Sequence, residues 1–289
     1  MLVSIIIVNY DTFALTADCI RSVQAHTRGV PYEIVLVDNA SPTEDPQRLE
    51  ESFPDVKLMR STVNGGFAAG NNLGIRHAKG NLILLLNSDT ILTEDAVSKA
   101  ANYLASQPRI GALTVRLRYP DGQVQHYARR FKDLRHEVLD SLRPLLFLLP
   151  YRKRAQLMLN QYYNADFDVD CDWVGGAFLM MPRAVMSALP GGKLDERYFM
   201  YGEDQLWCMQ IRKLGYRVAC FAGTEVVHLE GGSGRSGSVR WRPAFIRREL
   251  ELYRERWPRS VAYPLFAAVL WTKAAVIYVV KRLLSALKD

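Results

Sequence analysis

Several apolar runs in the chain stop abruptly on polar residues. The run YEIVLVDN ends on Asp38 and Asn39, and NLILLLNSD ends on Asn87, Ser88 and Asp89. Continuous runs of branched residues are typical of strands that are covered on both faces, as in parallel sheets. In such sheets, ligands bind outside the carboxyl ends of the strands. The polar residues are therefore predicted to line one edge of a sheet, where it opens into a ligand site.

Helical patterns separate the apolar runs. After VSIIIVNY, the residues Leu15, Cys19 and Val23 repeat at i, i+4 and i+8. VKLMRS is followed by a glycine-rich turn and a helix that Gly80 is predicted to end, and another helix begins near Thr93, before IGALTVRL. Five strands alternating with helices predict an α/β fold, with a doubly wound, mostly parallel sheet and helices on both faces.

Two common nucleotide-binding classes are disfavoured. The stretch VNGGFAAGNN follows the third strand instead of the first, and its glycines lack the G-x-G-x-x-G spacing of a dinucleotide site. The chain also has no G-K-[ST], which a P-loop NTPase requires. Its four cysteines form no C-x-x-C pair, which indicates reduced thiols.

Positive charge is concentrated at the C-terminal end. The 289 residues carry a net charge of +7, yet the stretch from Arg235 to Asp289 holds 12 Lys and Arg against 4 Asp and Glu. The preceding residues hold 25 against 26 and are nearly neutral. All of the excess positive charge is therefore in the tail, where it could indicate a nucleic acid, a membrane or merely a soluble basic surface.

The order of the motifs resembles a known family. The motifs are VSIIIVNYD, EIVLVDNASPTED, NGGFAAGNNLGI, LLLNSDT, DWVGGAFLMMPR, LDERYFMYGEDQLWCMQIRKLGY and VVHLEGGSG. Together they resemble the family 2 inverting glycosyltransferases of GT-A fold, and the rhamnosyltransferase-like branch in particular. The resemblance covers roughly residues 1–235 and implies a nucleotide-sugar-binding, Rossmann-like half (1–115) and an acceptor-binding and catalytic half (116–235). Beyond it, the charge and the apolar runs predict a basic, apolar, membrane-associating helical tail (236–289).

The resemblance implies that the polar edge binds a nucleotide-diphosphate sugar. Asp38 would accept a hydrogen bond from a pyrimidine imide, and Asn64 and Gly66 would lie against the base or its ribose. Taken alone, an Asx turn after a strand and a tight glycine turn remain alternatives. Arg235, in a glycine-serine stretch, would close over the nucleotide and pair with a phosphate. The donor-binding residues implied are Asn9, Asp38, Asn39, Asn64, Gly66, Asn71, Asn87, Ser88, Asp89 and Arg235.

A divalent metal ion, Mg²⁺ or Mn²⁺, is also implied by the resemblance. Asp89 closes the short acidic motif that would hold the metal against the donor diphosphate, and His228 would be a second ligand. In this chain the motif is N-S-D, with one carboxylate instead of two. The alternatives are that Asp89 caps the following helix and that His228 is a packing residue.

The catalytic base is assigned by resemblance to Asp204. Glu203 and Asp204 open a predicted helix that Gly215 ends, and the helix dipole is expected to stabilise them as anions. Inversion by direct displacement requires a base for the acceptor hydroxyl. Glu203, Trp173, Gly175 and Gly176 would form the acceptor site. The alternatives are that the two acids serve only the helix dipole and that Trp173 is a core residue.

Two apolar stretches indicate a membrane-bound acceptor. LRPLLFLLPYRKR carries basic residues on both sides, and VAYPLFAAVLWTKAAVIYVV is about as long as a membrane span. Pro264 and Lys273 count against crossing, so we predict a helix that lies in the cytoplasmic leaflet interface. A dimer interface or a packed C-terminal helix is the alternative.

The sequence therefore predicts a cytoplasmic glycosyltransferase, peripherally attached to the inner face of the cell membrane, that acts in bacterial cell-surface polysaccharide synthesis. The family resemblance alone suggests dTDP-L-rhamnose as the donor, with UDP-sugars as the alternative, and the acceptor is expected to be a lipid-linked saccharide. A nucleotidyltransferase is a rival, but VNYDTFALT lacks the basic residues of a triphosphate loop. A nucleic-acid-binding module is a second rival. The basic residues of the tail, however, flank membrane-like apolar runs, and no nucleic-acid partner is expected. A homodimer remains open.

Overall fold

A computed structural model describes residues 1–43, 45–229 and 243–286 of the chain. The chain folds into two compact units. Unit 1 comprises Met1–Arg130 and the chain from Ala155 to the end of the last strand, and unit 2 comprises Phe131–Arg154 and the C-terminal helices. Each unit is therefore assembled from two separate stretches of the chain.

Secondary structure follows the predicted alternation. The strands are β1 (Val3–Asn9), β2 (Tyr32–Asp38), β3 (Lys57–Arg60), β4 (Leu82–Asn87), β5 (Thr90–Ile91), β6 (Ile110–Arg118), β7 (Val124–Gln125), β8 (Ala128–Arg129), β9 (Val169–Cys171), β10 (Trp173–Val174), β11 (Phe178–Pro182) and β12 (Arg217–His228). The helices are α1 (Phe13–His26), α2 (Gln47–Ser52), α3 (Gly66–His77), α4 (Ala96–Ser106), α5 (Leu134–Ser141), α6 (Arg143–Leu146), α7 (Tyr151–Met158), α8 (Arg183–Ala188), α9 (Glu203–Lys213), α10 (Pro243–Arg256) and α11 (Tyr263–Ala286).

Unit 1 is built on a ten-stranded sheet whose order is β3-β2-β1-β4-β11-β6-β12-β5. β3, β2, β1 and β4 are parallel, and β11 is antiparallel to β4 and β6. The strand β7 pairs with β6, and β9 pairs with β12. The predicted α/β class and the mostly parallel sheet are confirmed. The middle strands β1 and β4 are mainly apolar because helices cover both faces of the sheet there.

Strand register brings the polar edge together. Asn9, the last residue of β1, lies opposite Asp38 on β2, and Val8 lies opposite Asn87 on β4. The strands therefore end at the same level, and their polar residues meet in space.

Two helix boundaries differ from the predictions. α3 ends at His77, and Gly80 instead lies against β1, where a Cβ would come within 2.6 Å of the Ser4 backbone nitrogen. α4 begins at Ala96, after Thr93, because Asp95 caps it by accepting a hydrogen bond from the Ser98 N–H. Both differences depend on packing or capping that hydrophobic periodicity does not report.

Unit 2 is helical. Its core is formed by Ile246, Leu250 and Tyr253 of α10 and by Phe266 and Leu270 of α11. Within the described residues, α11 is the one helix whose length and composition suit a membrane span, over Tyr263–Val280. Most of this stretch is not buried in the protein.

Candidate active site

The first cluster at the sheet edge is organised by Asn9. Its Nδ2 donates to Asp38 Oδ1 at 3.0 Å, and its Oδ1 accepts from Thr12 Oγ1 at 3.0 Å and from Thr16 Oγ1 at 2.9 Å. Ser41 donates to Asp38 through both its hydroxyl and its backbone N–H. These bonds fix the Asp38 carboxylate at the end of β2, where the sequence predicts an acceptor for the nucleobase.

The second cluster joins β2 to the start of α3. Asn39 Nδ2 donates to Asn64 Oδ1 at 2.9 Å and to the Gly66 carbonyl at 3.2 Å, and the Gly66 N–H donates to Asn64 Oδ1 at 3.0 Å. Gly66 has φ of +84°, and a Cβ there would be 2.3 Å from the Phe199 carbonyl oxygen. Glycine is therefore required at this position for two reasons: the turn needs a positive φ, and the loop before α9 leaves no room for a Cβ. Asn71 is buried on α3 and donates to the Phe67 carbonyl.

The third cluster lies at the end of β4 and contains both predicted metal ligands. Asp89 Oδ1 is 3.2 Å from His228 Nε2, and the side chains of both residues are at most 5% exposed. Asn87 Nδ2 is 3.3 Å from the same His228 nitrogen. Ser88 is buried beside them and shares a hydrogen bond with Thr12. The structure thus brings Asp89 and His228 together, although 139 residues separate them in the chain.

Gln125 fixes the orientation of the His228 ring. Its Nε2 donates to the His228 carbonyl at 2.6 Å, so its Oε1 is the atom that lies 2.8 Å from His228 Nδ1. Because an amide oxygen can only accept, the Nδ1 of His228 must carry a proton. With the proton on Nδ1, Nε2 is an acceptor that lies within reach of the Asn87 Nδ2 donor and 3.2 Å from Asp89 Oδ1, where a cation could be bound by both Nε2 and the carboxylate.

The residues of this cluster fit a divalent metal ion. The described residues contain no group of three or more His, Cys, Asp or Glu side chains that could hold a metal ion. Of these residue types, the protein would therefore supply only two ligands at this cluster, Asp89 and His228. Asn87 Oδ1 is buried and, within the described part of the chain, has no hydrogen-bond partner, which leaves one more oxygen for such a site. Mg²⁺ is commonly held by one or two carboxylates together with substrate phosphates and water.

Asp204 lies at the start of α9, as predicted. The helix begins after Gly202 and ends before Gly215, which has φ of +88°. Burial raises the pKa of Asp204 to about 6, although the Gln205 N–H, the Arg129 guanidinium and the Gly176 N–H each lower it. The helix start was predicted to favour the anion, but desolvation outweighs it. A carboxylate with this pKa is ionised at neutral pH and can accept a proton.

Of the predicted acceptor residues, Gly176 bonds to Asp204 through its N–H, and Gly175 and Glu203 are chain neighbours of this pair. A Cβ on Gly175 would be 2.0 Å from the Tyr127 ring, and a Cβ on Gly176 would be 2.7 Å from the Phe67 ring. The Tyr127 ring meets His228 edge-on, with 5.6 Å between the ring centroids. Since Gly176 also donates toward Asp204, Tyr127 and the glycine pair connect the Asp89–His228 cluster to Asp204.

Trp173 and Glu203 complete the predicted acceptor set. Trp173 is half-buried, donates from Nε1 to the Arg130 carbonyl at 3.3 Å, and has the Arg129 guanidinium 5.1 Å from its ring centroid. Glu203 is buried in the first turn of α9. Arg235 lies outside the described residues.

Three residues at the site were not identified from the sequence. Gln125, Tyr127 and Arg129 belong to the segment QVQHYAR, and they lie on or between the two-residue strands β7 and β8. Strands this short carry no hydrophobic periodicity. Their role follows from tertiary contacts, which the fold forms by placing this segment beside His228 and Asp204.

Comparison with known proteins identifies the family. The family model described as "Glycosyl transferase family 2" matches residues 4–175. The chain belongs to glycosyl transferase family 2. The match covers the first two clusters and Asn87, Ser88 and Asp89 of the third, whereas His228, Gly176 and Asp204 lie beyond it. The family resemblance seen in the motifs is therefore confirmed.

Curated relatives are distant and mostly longer. The O-antigen biosynthesis protein RfbC of Myxococcus xanthus is 27% identical over 82% of this chain and 18% of its own length. The N-acetylglucosaminyl-diphospho-decaprenol L-rhamnosyltransferase of Mycobacterium tuberculosis is 25% identical over 68% of this chain and 66% of its own length. An uncharacterised Sinorhizobium fredii protein is 26% identical over 89% of this chain, which spans 27% of that relative.

Solved structures share the fold. The mannosyltransferase PcManGT of Pyrobaculum calidifontis, in complex with GDP-Man and Mn²⁺, covers 94% of this chain and 68% of its own, with a TM-score of 0.60 and 19% identity. TarS 1-349 of S. aureus, in complex with UDP-GlcNAc, covers 88% of this chain and 66% of its own, with a TM-score of 0.59 and 15% identity. The GT-A fold of this chain is thereby established.

Proposed function

We propose that the protein is an inverting, metal-dependent glycosyltransferase that moves a sugar from a nucleotide-diphosphate donor to a lipid-linked saccharide at the cytoplasmic face of the membrane. The observation that carries the proposal is the connection of two centres in one site. The Asp89–His228 cluster is joined to Asp204 through Tyr127 and the Gly175–Gly176 pair. Displacement of a diphosphate by a hydroxyl needs one centre for the leaving group and a separate base for the nucleophile.

Donor binding is assigned to the first two clusters. In this proposal Asp38 accepts from the nucleobase, and the Asn39–Asn64–Gly66 turn holds the nucleoside. The donor set also includes Asn9 and Asn71, which fix these elements, and Asn87, Ser88 and Arg235. The name of the mycobacterial relative supports L-rhamnose as the sugar, and the ligands of the two structural neighbours support the nucleotide-sugar class.

The leaving-group centre is assigned to Asp89 and His228, which would hold Mg²⁺ or Mn²⁺. Such a cation neutralises the negative charge that develops on a departing diphosphate. Asp89 supplies the anionic oxygen ligand, and Gln125 keeps the proton on His228 Nδ1, which leaves Nε2 as an acceptor. Imidazole favours Mn²⁺ over Mg²⁺ as the bound ion. Two structural neighbours were solved with Mn²⁺, which supports this choice.

The base is assigned to Asp204. Its carboxylate takes the proton from the acceptor hydroxyl as that oxygen attacks the anomeric carbon, and a single displacement inverts the configuration. Trp173, Gly175, Gly176 and Glu203 hold the acceptor saccharide in this proposal. The decaprenol-linked substrate in the mycobacterial relative's name supports a lipid-linked acceptor, and O-antigen synthesis in the name of the Myxococcus relative supports a role in cell-surface polysaccharide synthesis.

A panel of nucleotide sugars tests the proposed donor class. Purified protein is incubated with dTDP-L-rhamnose, UDP-GlcNAc, UDP-glucose or GDP-mannose, with Mn²⁺, with Mg²⁺ or with EDTA, and donor hydrolysis and the shift in melting temperature are measured. We expect one donor to stabilise the protein and to be hydrolysed only when the metal is present. If no nucleotide sugar bound with either metal, the proposal would fail.

Gln125→Leu is expected to weaken Mn²⁺ binding by about 10–100-fold, the usual effect of losing a group that orients a histidine ligand. The measurement is free Mn²⁺ by electron paramagnetic resonance in the presence of the donor nucleotide. Gln125→Glu keeps an acceptor for the Nδ1 proton and should recover much of the affinity.

Gln123→Leu is the matched control, because Gln123 is exposed and bonds only within its turn among the described contacts. Circular dichroism melts confirm that each variant folds. Unchanged Mn²⁺ affinity in folded Gln125→Leu would remove Gln125 from the site.

A further inference from the structure

Unit 2 presents two apolar surfaces to solvent. The first, the 142–148 surface, consists of Leu142, Leu145, Phe147 and Leu148, of which Leu148 is 80% exposed. The second, the outer face of α11, consists of Leu265, Trp271, Val276 and Val279, which are 39–57% exposed. The two surfaces lie on neighbouring helices, because α5 contacts both α6 and α11. Exposed apolar surface of this extent marks an interaction site.

The outer face of α11 lies opposite its packed face. Phe266 and Leu270 are buried against α10, whereas Leu265, Val276 and Val279 recur at helical spacing on the other side. The helix therefore has two apolar faces, of which one packs in unit 2 and the other is exposed.

Lys273 does not interrupt the outer face. It is the one charged residue between positions 260 and 280, and its Nζ lies 2.6 Å from Glu137 Oε2 and 3.3 Å from Asp140 Oδ2, both on α5. The ammonium group is therefore directed toward α5 and neutralised there. The outer face is left without a charged residue over this whole stretch.

The positive charge of unit 2 favours an anionic partner. Residues 131–154 and 243–286 hold 14 Lys and Arg against 6 Asp and Glu, a net charge of +8, whereas the described residues of unit 1 hold 19 against 21. Arg143 adjoins the 142–148 surface, and Arg152–Arg154 follow it. Apolar surfaces bordered by basic residues suit the interface of a bilayer that contains anionic lipids.

Aromatic residues border the start of α11. The Arg256 guanidinium lies 3.8 Å from the Trp257 ring centroid, and the Arg254 guanidinium lies 4.1 Å from that of Tyr263. Trp and Tyr are enriched at the level of lipid headgroups, and basic side chains accompany them there. The residues at this end of α11 are therefore of the types that contact lipid headgroups.

We infer that unit 2 docks on an anionic bilayer through the 142–148 surface and the outer face of α11 together, with α11 lying in the interface. Crossing is disfavoured because Lys273 is near the middle of the apolar stretch, and its partners on α5 would have to enter the hydrocarbon with it. The inference rests on the membrane location in the proposed function and deepens it by naming the residues of the two surfaces that make the contact. It does not depend on which sugar is transferred.

Vesicle binding by single variants tests the inference. Leu148→Glu and Val276→Glu each place a charge on one surface, and cosedimentation is measured with vesicles of phosphatidylcholine and phosphatidylglycerol at 7:3. Each variant is expected to bind about tenfold more weakly or worse, from the lost apolar burial and the added negative charge. The control is Leu214→Glu, which changes an exposed leucine of unit 1 and should bind like the wild type.

Three results would overturn the inference. Wild-type binding by Leu148→Glu would remove the 142–148 surface, and retention of the protein on membranes after an alkaline carbonate wash would show that α11 crosses. Absence of vesicle binding, together with a dimer that Val276→Glu dissociates in analytical ultracentrifugation, would assign the surfaces to a second copy of the chain. Donor hydrolysis in solution should be unchanged in all three variants, so a failure of the proposed function is recognised separately.

Discussion

Asp204→Asn is expected to lower kcat by about 10²–10⁴-fold at neutral pH while changing the donor dissociation constant little. The amide keeps the shape of the side chain and its bond to the Gln205 N–H, but it cannot take the proton of the acceptor hydroxyl. Because that proton moves only in the transition state, binding of the ground state is spared. The measurements are turnover with a saccharide acceptor and donor affinity by calorimetry.

The control for this variant is Asp95→Asn, which changes the carboxylate that caps α4 to another good capping residue. It should retain wild-type turnover. Near-normal kcat in Asp204→Asn would exclude Asp204 as the base.

The raised pKa of Asp204 also predicts the pH dependence. Since the base must be ionised, kcat/KM should fall about tenfold per pH unit below about 6 in the wild type. The unfolded carboxyl has a pKa near 3.8 and the folded one near 6, so the native state binds more protons between these values. Stability therefore decreases as pH rises through that window and stays reduced above it.

Asp204→Asn should consequently be more stable than the wild type at pH 7, by about 1 kcal/mol once partial exposure is allowed for. Urea denaturation at pH 4 and pH 7 measures the difference, which should be small at pH 4. Loss of activity with a gain of stability is the combination expected for a functional carboxylate. A variant that is less stable at pH 7 would contradict the burial argument.

Asp89→Ala is expected to abolish the metal dependence of donor binding and to lower kcat/KM by about 10²–10⁴-fold, the range expected when several kcal/mol of charge stabilisation is lost. Unlike the Asp204 variant, it should weaken donor affinity as well as turnover, because Asp89 would hold the metal ion that helps to bind the diphosphate. The fold should survive, since the bond from the Leu229 N–H to the Asp89 carbonyl belongs to the backbone.

The measurements for this variant are donor titrations and turnover with Mn²⁺, with Mg²⁺ and with EDTA. Asp18→Ala is the control, because Asp18 is an exposed residue of α1 that pairs with Arg21. Wild-type turnover by Asp89→Ala with Mg²⁺ or Mn²⁺ would show that the metal assignment is wrong.

The polar edge of the sheet could be predicted from two things: the local hydrophobic pattern of each strand and the general position of ligand sites in parallel sheets. The apolar runs of β1, β2 and β4 are unbroken, and parallel strands carry their ligand crevice at their carboxyl ends. The bounds of α9 were equally accessible, because acidic residues open it and Gly215 follows its end. In each case the signal lies within a few residues of the feature.

Other features depend on contacts between distant residues. The partners of Lys273 are more than 130 positions away, and the role of Gln125 exists only because β7 is placed beside the end of β12. The pKa of Asp204 illustrates the same limit, because the favourable helix start is visible in the sequence and the opposing burial is not.

The most direct test of the account is the configuration of the product. The protein is incubated with Mn²⁺, an L-rhamnose or hexose donor chosen from the panel, and a short-chain lipid-linked saccharide, and the anomeric configuration of the new linkage is determined by NMR. The account predicts transfer that requires the metal and Asp204 and that inverts the anomeric centre of the donor. A product that retains the configuration of the donor would contradict single displacement with Asp204 as the base.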